Sequence, residues 1–389
     1  SRLLVGAILI LDVIFSFKYH RRGFMAKNMD CDVLIAGAGP TGMSAAIALH
    51  DAGLKVMIID KHQSGLSFSR AILVNSQTLS LLKPLGIADK IMAIGHPFSS
   101  ITINGPEGVI ISGRVDVDNT SDVHPTSLPQ LTTEKCFYEG LAERAIKIER
   151  PCSFKSFIQK EDYVESIIEK EEQYFTIKSS YLLGADGFHS SVREGLGFKY
   201  NQSARPLLMY SQDAVMDWSD RSDVNIWILD TGAVIGLKIG DNLVRFAATN
   251  KDSFSALGIS SQIQETTWES EFDVYFAQVD SYGKDRVWLA GDAAHVHSPV
   301  GGRGMNMGIA DGIRFAEALV KNDLAGYQAE RHDVSSDWVR KNQLFTEIMT
   351  DRSIKGKLGR SLIRLIFRVA NIIFGKNAAK KIFQAIAVG

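Results

Sequence analysis

Three groups of residues in this chain have types and spacings suited to holding a phosphate-bearing cofactor. Gly37, Ala38, Gly39, Pro40, Thr41 and Gly42 follow directly on the apolar stretch Cys31 to Ala36. In such a run Gly37 permits a tight strand-to-helix turn, Gly39 lets the backbone approach a pyrophosphate, and Gly42 allows the helix to pack closely on the strand. Pro40 suits the first helical position, where its missing N–H would be unpaired anyway. The N–H groups at that helix start face the phosphates, with the helix dipole behind them. Asp60, at the end of the next apolar run and followed by Lys61, is placed to accept hydrogen bonds from a ribose diol. This first group binds a dinucleotide without separating FAD from NAD.

The second group is Gly184-Ala185-Asp186-Gly187, followed by Ser190 and Arg193; the third starts at Gly291-Asp292. Val287 to Ala290 reads as a short buried strand, and Asp292 beyond it can accept from polyol hydroxyls such as those of a ribityl chain. Pro299, Gly301, Gly302 and Gly304 then form a turn that opens a helix reaching towards Leu319, with Met305 and Asn306 in its first turn. A helix start beneath the N1/C2 edge of a flavin would stabilise the anionic reduced ring. Pro299 would add a rigid wall beside it. The set points to FAD.

The elements that position these groups can be read from periodicity. Cys31 to Ala36, the helix Thr41 to His50 ended by Gly53, and the strand Lys55 to Ile59 make a βαβ opening. Ser100 to Ile111 alternates around Asn104-Gly105 as a hairpin, and Glu134 to Ile148 has helical periodicity. Strands are expected at Asn225 to Leu229, Ala233 to Ile239 and Leu243 to Ala248. Because these lie between the second and third groups, we expect an α/β fold. Its Rossmann-like cofactor domain is built from residues 29–98, 126–200 and 283–330, with a mostly antiparallel β-sheet substrate domain inserted from 99–125 and 201–282. Residues 331–389 are expected to form a helical basic tail.

Composition bounds the partners. The chain has 389 residues, long enough for two domains and a large cofactor, and its formal net charge of −1 gives no pull toward nucleic acid. Its three cysteines, Cys31, Cys136 and Cys152, are far apart, which argues for free thiols, a reducing compartment and no metal site. Residues 1–24 carry an apolar run from Leu3 to Phe17, interrupted by Asp12 and followed by basic residues. They are too short for a membrane span and have the wrong polarity for a signal peptide. They read either as sequence upstream of the folded protein or as a peripheral anchoring helix. Beyond Asp351 the chain has no acidic residue, and Leu362, Leu365, Ile366 and Val369 share one helical face. The plain expectation packs that face on the core with the basic face in solvent; the other lays it on a membrane surface. A cytoplasmic protein with at most peripheral membrane contact through its termini is expected.

The three groups, taken in order, resemble the single-component FAD-dependent monooxygenases related to p-hydroxybenzoate hydroxylase, over about Cys31 to Arg331. Ser69-Arg70-Ala71, whose Arg70 would contact FAD, and Gln130 with Glu134, whose glutamine would meet the ribityl or phosphate region, add to the likeness. The resemblance implies an FAD domain of the p-hydroxybenzoate hydroxylase type, NAD(P)H as co-substrate, O2, and a C4a-hydroperoxyflavin that transfers one oxygen atom to an aromatic or polyketide-like molecule. Epoxidation, Baeyer-Villiger oxidation and tetracycline-type inactivation remain open, as does a flavoprotein that binds and protects a reactive intermediate without efficient turnover. Asp186 belongs to the family's shared FAD/NAD(P)H motif. Since a carboxylate repels a pyrophosphate, it is expected to orient Arg193, backbone donors or water, or to cap a turn near Ser190. His295 and His297 are expected to support the loop. Asp60 in place of glutamate, Gly312 in place of alanine and Arg314 in place of asparagine depart from the family pattern. Tyr210, Trp227, Leu229 and Arg245 are candidate pocket residues, and a buried Arg245 would need an anionic partner.

Overall fold

The structure, a computed structural model, describes residues 29–65, 71–114, 123–202 and 206–383. The expected N-terminal extension and Arg70 lie outside the described residues. β1 (Cys31–Ala36) is apolar without alternation, as a strand covered on both faces must be, and it sits inside an eight-stranded sheet. After the helix α1 (Pro40–Asp51) the chain returns in β2 (Val56–Ile59), parallel to β1. The helix α2 (Gln130–Glu143) leads to β3 (Ile148–Glu149), parallel to β2 on its far side. On the opposite side of β1 lie β4 (Gln173–Gly184) and then β5 (Val287–Leu289), again parallel. The chain thus steps one way from β1 to β2 and β3, and the other way to β4 and β5. A crevice opens beyond the carboxyl ends of the strands at such a reversal.

β4 has two uses. Its first half forms an antiparallel meander with Val164–Lys170 and Ser153–Gln159, and its second half joins the parallel sheet. The inserted sheet has seven strands in the order Glu265–Val274, Leu207–Val215, Leu243–Ala248, Gly232–Lys238, Val224–Leu229, Ser100–Gly105 and Gly108–Arg114. All neighbours are antiparallel except Val224–Leu229 with Ser100–Gly105. Alternation divides its faces: Ile101, Ile228 and Leu237 pack with Phe345 and Met349, while Trp227, Val234 and Phe246 pack with Trp218 and Phe254.

Two local expectations change. The helix expected over Glu134 to Ile148 is Gln130–Glu143; Ala145 turns the chain with a φ of 55°, and Ile148 pairs with Ile58 instead. Sheet pairing overrides the helical periodicity there. The hairpin turns at Pro106-Glu107, with Asn104 and Gly105 still in the ladder opposite Val109 and Gly108. Pro106 has no N–H to give the ladder, so it takes the turn.

The last part of the chain is helical: α3 (Gly304–Val320), α4 (Leu324–Thr350) and α5 (Ile354–Phe374). Packing of α5 is the reverse of the plain expectation. Its basic residues Arg360 and Arg364 face the protein, and Leu362, Leu365, Ile366 and Val369 are 57%, 55%, 53% and 44% exposed. Arg360 wins the inner face because its guanidinium satisfies the carbonyls of Ile348, Asp351 and Asp230 at once, the first at 2.8 Å. Among the described residues no helix is long and apolar enough to cross a membrane. Cys31, Cys136 and Cys152 are buried and free.

Candidate functional site

The parallel register brings the ends of the three glycine-bearing groups side by side. Ala36 pairs with Gly184, the Ala185 N–H donates to the Ala36 carbonyl at 2.8 Å, and the Ala290 N–H donates to the Gly184 carbonyl at 3.0 Å. Gly37 has a φ of +104°, and a Cβ on it would lie 2.2 Å from the Ala185 carbonyl oxygen. The turn after β1 therefore rests on the backbone after β4, and only glycine fits there. α1 starts at Pro40 with Gly39 as N-cap and no side-chain cap, so its first N–H groups face outward from the helix end. A Cβ on Gly39 would meet no protein atom within 4 Å. That combination is a cradle for an anion that approaches the backbone closely.

Asp60 sits beside this cradle. Its Oδ2 accepts from the Ala38 N–H at 2.8 Å and its Oδ1 from the His62 N–H at 2.8 Å. Arg150, a residue that the sequence reading did not select, lies 3.7 Å from Asp60 and donates to the Ala38 carbonyl at 3.3 Å and the Tyr138 hydroxyl at 3.2 Å. Ser64, Gly65, Tyr138, Leu141 and Arg150 line a groove of about 390 Å³ here. Lys61, next in the chain after Asp60, is exposed.

Asp186 turns out to organise backbone. Its carboxylate accepts from the Ser190 hydroxyl and from the Val192 N–H at 3.2 Å, and Ser190 in turn accepts from the Arg193 N–H at 3.0 Å. Burial raises the Asp186 carboxyl above the ordinary range against the pull of these donors. The Arg193 guanidinium goes elsewhere: it lies 3.8 Å from the Tyr200 ring centroid and donates to the Ala293 carbonyl at 3.4 Å. Tyr200 donates its hydroxyl to the Asp292 carbonyl. Arg193 and Tyr200 thus brace the turn after β5 from behind, while the Asp292 residue itself is exposed at the strand end.

Behind that turn is a buried charge cluster. Asp311 on α3 is 0% exposed; its Oδ2 accepts from the Gly291 N–H at 2.9 Å and meets His295 Nε2 at 2.7 Å, and its Oδ1 meets Arg331 Nε at 2.6 Å. Burial pushes this carboxyl up, but the Arg331 guanidinium and His295 outweigh it and hold it below the usual carboxylate range. His295 therefore supports the loop, as expected.

The glycine turn is held from both sides. The Gly302 N–H donates to the Pro299 carbonyl at 2.9 Å, closing the turn. Asn342 of α4 accepts from the Ser298 N–H at 3.0 Å and donates to the Val300 carbonyl at 2.7 Å. Asn306 donates to the carbonyls of Gly302 and Leu73 at 2.7 and 2.8 Å and accepts from the Asn75 N–H at 3.0 Å, so its amide works inside the protein. Gly304, Met305 and Asn306 open α3 without a side-chain cap. Arg303, between the glycines, is buried with its guanidinium 4.3 Å from the Trp338 ring centroid.

His297 makes a pH prediction. Its Nδ1 donates to the Ser298 carbonyl at 2.9 Å, and its Nε2 is out of contact with solvent. Burial, with His295 and Arg303 nearby, pushes this imidazole down to about 3. Below the ordinary histidine range the unfolded chain binds a proton that the native chain refuses, so stability is lost as pH falls from about 6.5 toward 3. His297→Phe is expected to flatten that part of the stability profile, read by thermal unfolding at stepped pH. An unchanged slope would reject the assignment.

Gln130 donates to Glu134 at 2.9 Å, and its backbone N–H donates to the Ala71 carbonyl at 3.0 Å, next to Arg70. A Cβ at position 312 would lie 2.5 Å from the Thr41 carbonyl oxygen, so α1 and α3 approach too closely for alanine. Arg314 is paired with Glu317 and Glu330 at the surface, away from the crevice. Arg245 has its anionic partner in Asp213, both ends at 2.5 Å, with the Trp268 ring beside it at 4.9 Å. Tyr210 donates to Gln212 at 2.6 Å and to Glu269 at 3.0 Å, and Trp227 packs against Trp218. Leu229 is half-buried at the end of its strand.

The donor set fits FAD: two uncapped helix starts for phosphate and ring oxygens, and two carboxylates, Asp60 after β2 and Asp292 after β5 on either side of β1 and β4, for ribose and ribityl hydroxyls. Comparison with known proteins agrees. A family model described as an FAD binding domain matches residues 30–240 and 250–342. Over 353 residues the chain is 26% identical to a rifampicin monooxygenase of Streptomyces venezuelae, covering 82% of this chain and 72% of that protein. Over 349 residues it is 28% identical to a 6-methylpretetramide 4-monooxygenase of Streptomyces rimosus, covering 82% of this chain and 62% of the relative. The crystal structure of p-nitrophenol 4-monooxygenase from Pseudomonas putida superposes with a TM-score of 0.73 at 18% identity, over 90% of this chain and 98% of that one. The flavin-dependent monooxygenase PieE, solved with FAD and substrate, has a TM-score of 0.73 at 19% identity, over 91% and 73%. The chain belongs to the FAD binding domain family, among the FAD-dependent hydroxylases related to p-hydroxybenzoate hydroxylase.

Proposed function

We propose that this FAD-dependent monooxygenase uses NAD(P)H and O2 to hydroxylate an aromatic or polyketide-like small molecule. The observation that carries the reading is the alignment of the three group ends along the carboxyl edge of β1, β4 and β5. FAD, when bound, would carry the two electrons taken from NAD(P)H and supply the oxygen activation. The protein's residues bind, orient and dry it. In this reading Gly37 to Gly42 and the start of α1 cradle the pyrophosphate. Asp60, backed by Arg150, accepts from the adenosine ribose, with Lys61 next to it in the chain. Asp186, Gly187 and Arg193 shape the floor of the crevice, while Gln130 closes its side. Gly291 and Asp292 take the ribityl chain. Pro299, Gly301 and Gly302 would lie around the isoalloxazine, and the N–H groups of Gly304, Met305 and Asn306 at the start of α3 would stabilise its electron-rich edge.

The relatives' names suggest the substrate classes: rifampicin, 6-methylpretetramide and p-nitrophenol are named as the substrates of monooxygenases similar to this protein. Reconstituted with FAD, the protein should oxidise NAD(P)H faster when a suitable phenol, quinone or polyketide is present, with oxygenated product by mass spectrometry. A complete panel without stimulation would count against turnover and favour a binding flavoprotein.

Asp292→Ala tests the ribityl assignment. It removes an ionised acceptor for polyol hydroxyls, a loss of about 1.5 to 3 kcal/mol, or roughly ten- to a hundredfold in FAD affinity. Flavin fluorescence titration reads it. Equal affinity in the variant would sink the assignment.

A further inference from the structure

The strongest feature outside the flavin crevice is the outer face of α5. Leu358, Leu362, Leu365, Ile366, Val369 and Ile373 form a continuous apolar stripe over roughly a third of the helix circumference, and they are 44% to 67% exposed. An exposed stripe of this length on a helix marks a contact surface. Its orientation is set from inside: Arg360 and Arg364 donate to carbonyls of the inserted sheet's Asp230 and Ile228, and Asn371 donates to the Ile110 carbonyl at 3.1 Å. The helix cannot roll its apolar face inward without stripping those carbonyls and burying lysines. We propose that α5 lies on an anionic lipid surface, with this stripe in the headgroup boundary.

Charge selects the lipid over other occupants. Lys355 lies within the stripe and Lys357 in the same first turn of α5, both exposed, and Lys381 sits 4.0 Å from the Phe374 ring centroid at the far end. From residue 352 to residue 389 the sequence has no Asp or Glu. Two carboxylates of the neighbouring sheet are already paired with arginines of α5, Asp230 with Arg364 and Glu107 with Arg368. A second copy docked on the same stripe would set the basic α5, which carries no Asp or Glu, against its own like charge. An anionic headgroup layer offers hydrocarbon to the leucines and negative charge to the lysines, the arrangement that holds amphipathic helices in an interface.

The test is sedimentation of the FAD-loaded protein with phosphatidylcholine vesicles, with and without phosphatidylglycerol. Partitioning is expected to rise roughly tenfold with the anionic lipid and to fall roughly a hundredfold in Leu362→Glu/Ile366→Glu, with bound FAD unchanged. Lys355→Glu/Lys357→Glu should reduce binding on anionic vesicles to the level on neutral ones. Equal partitioning of the wild type and the Leu362→Glu/Ile366→Glu variant, or no partitioning at all, would overturn the proposal. So would a dimer in solution that the same variant dissociates, since the stripe would then belong to a second copy.

Discussion

Asp311→Ala is expected to cost about 3 to 5 kcal/mol of stability and to yield protein that purifies without flavin. Asp311 is fully buried, and its removal strands two cationic or polar partners at once: Arg331, 2.6 Å away, and His295, 2.7 Å away. Breaking one side of a buried pair leaves an uncompensated charge in low dielectric, which is the source of that cost. It also frees the Gly291 N–H, which Asp311 accepts at 2.9 Å. That bond holds the turn next to Asp292, so flavin retention should fail with stability. Adding Arg331→Met to Asp311→Ala removes the stranded charge and should recover part of the loss. Thermal unfolding of the wild type and the two variants decides the matter; a melting temperature unchanged in Asp311→Ala would refute the role.

The pH dependence of this effect has a definite sign. Burial raises the Asp311 carboxyl, but Arg331 and His295 hold it below the ordinary range in the folded protein. A carboxyl depressed on folding contributes stability that is present above its unfolded pKa of about 3.9 and lost as pH falls through the folded value. The gap between wild type and Asp311→Ala should therefore be full at neutral pH and close in acid.

What could be read from the sequence was what depends on neighbours along the chain. The apolar run of β1, the glycines after it and Pro40 specify a strand, a turn and a helix start by local sterics, and these lie at Cys31–Ala36 and Pro40–Asp51. The alternation in Val224–Leu229, Gly232–Lys238 and Leu243–Ala248 was equally plain. The supports of the candidate site were not, because each reaches across the fold. Asn342 grips the Pro299 turn from 42 to 44 residues away, Tyr200 reaches Asp292 over 92, and Arg150 meets Ala38 over 112. One signal was present for the first of these. Arg331, Ser335, Trp338, Asn342 and Thr346 recur at helical spacing on one side of α4, a polar stripe where an apolar one would be routine. A helix that buries polar side chains along its length is holding backbone that lacks partners of its own. For α5 the apolar stripe itself was legible, but which face turns inward depended on unpaired carbonyls at Asp230, Ile348 and Asp351 that no local pattern announces.

Two glycines two residues apart should give opposite phenotypes. In Gly37→Ala the new methyl would sit 2.2 Å from the Ala185 carbonyl oxygen, at a φ of +104° that an L-residue rarely adopts. The obstacle is backbone directly after β4, held by the Ala185 N–H bond to the Ala36 carbonyl, so it cannot swing aside. A strained dihedral and an overlap of that depth together cost about 3 kcal/mol or more, and the melting temperature should drop with or without FAD. Gly39→Ala places its methyl where no protein atom lies within 4 Å, at a φ of −77° that alanine adopts freely. The apoprotein should therefore melt within the small range of a neutral surface change, about 0.5 kcal/mol. Its affinity for FAD should nevertheless fall by about tenfold or more, because the methyl would stand between the start of α1 and a pyrophosphate that must approach the backbone. Apoprotein melting and flavin titration separate the two effects. If Gly39→Ala binds FAD as tightly as the wild type, the phosphates do not lie over α1, and the placement of the cofactor along β1, β4 and β5 would have to be redrawn.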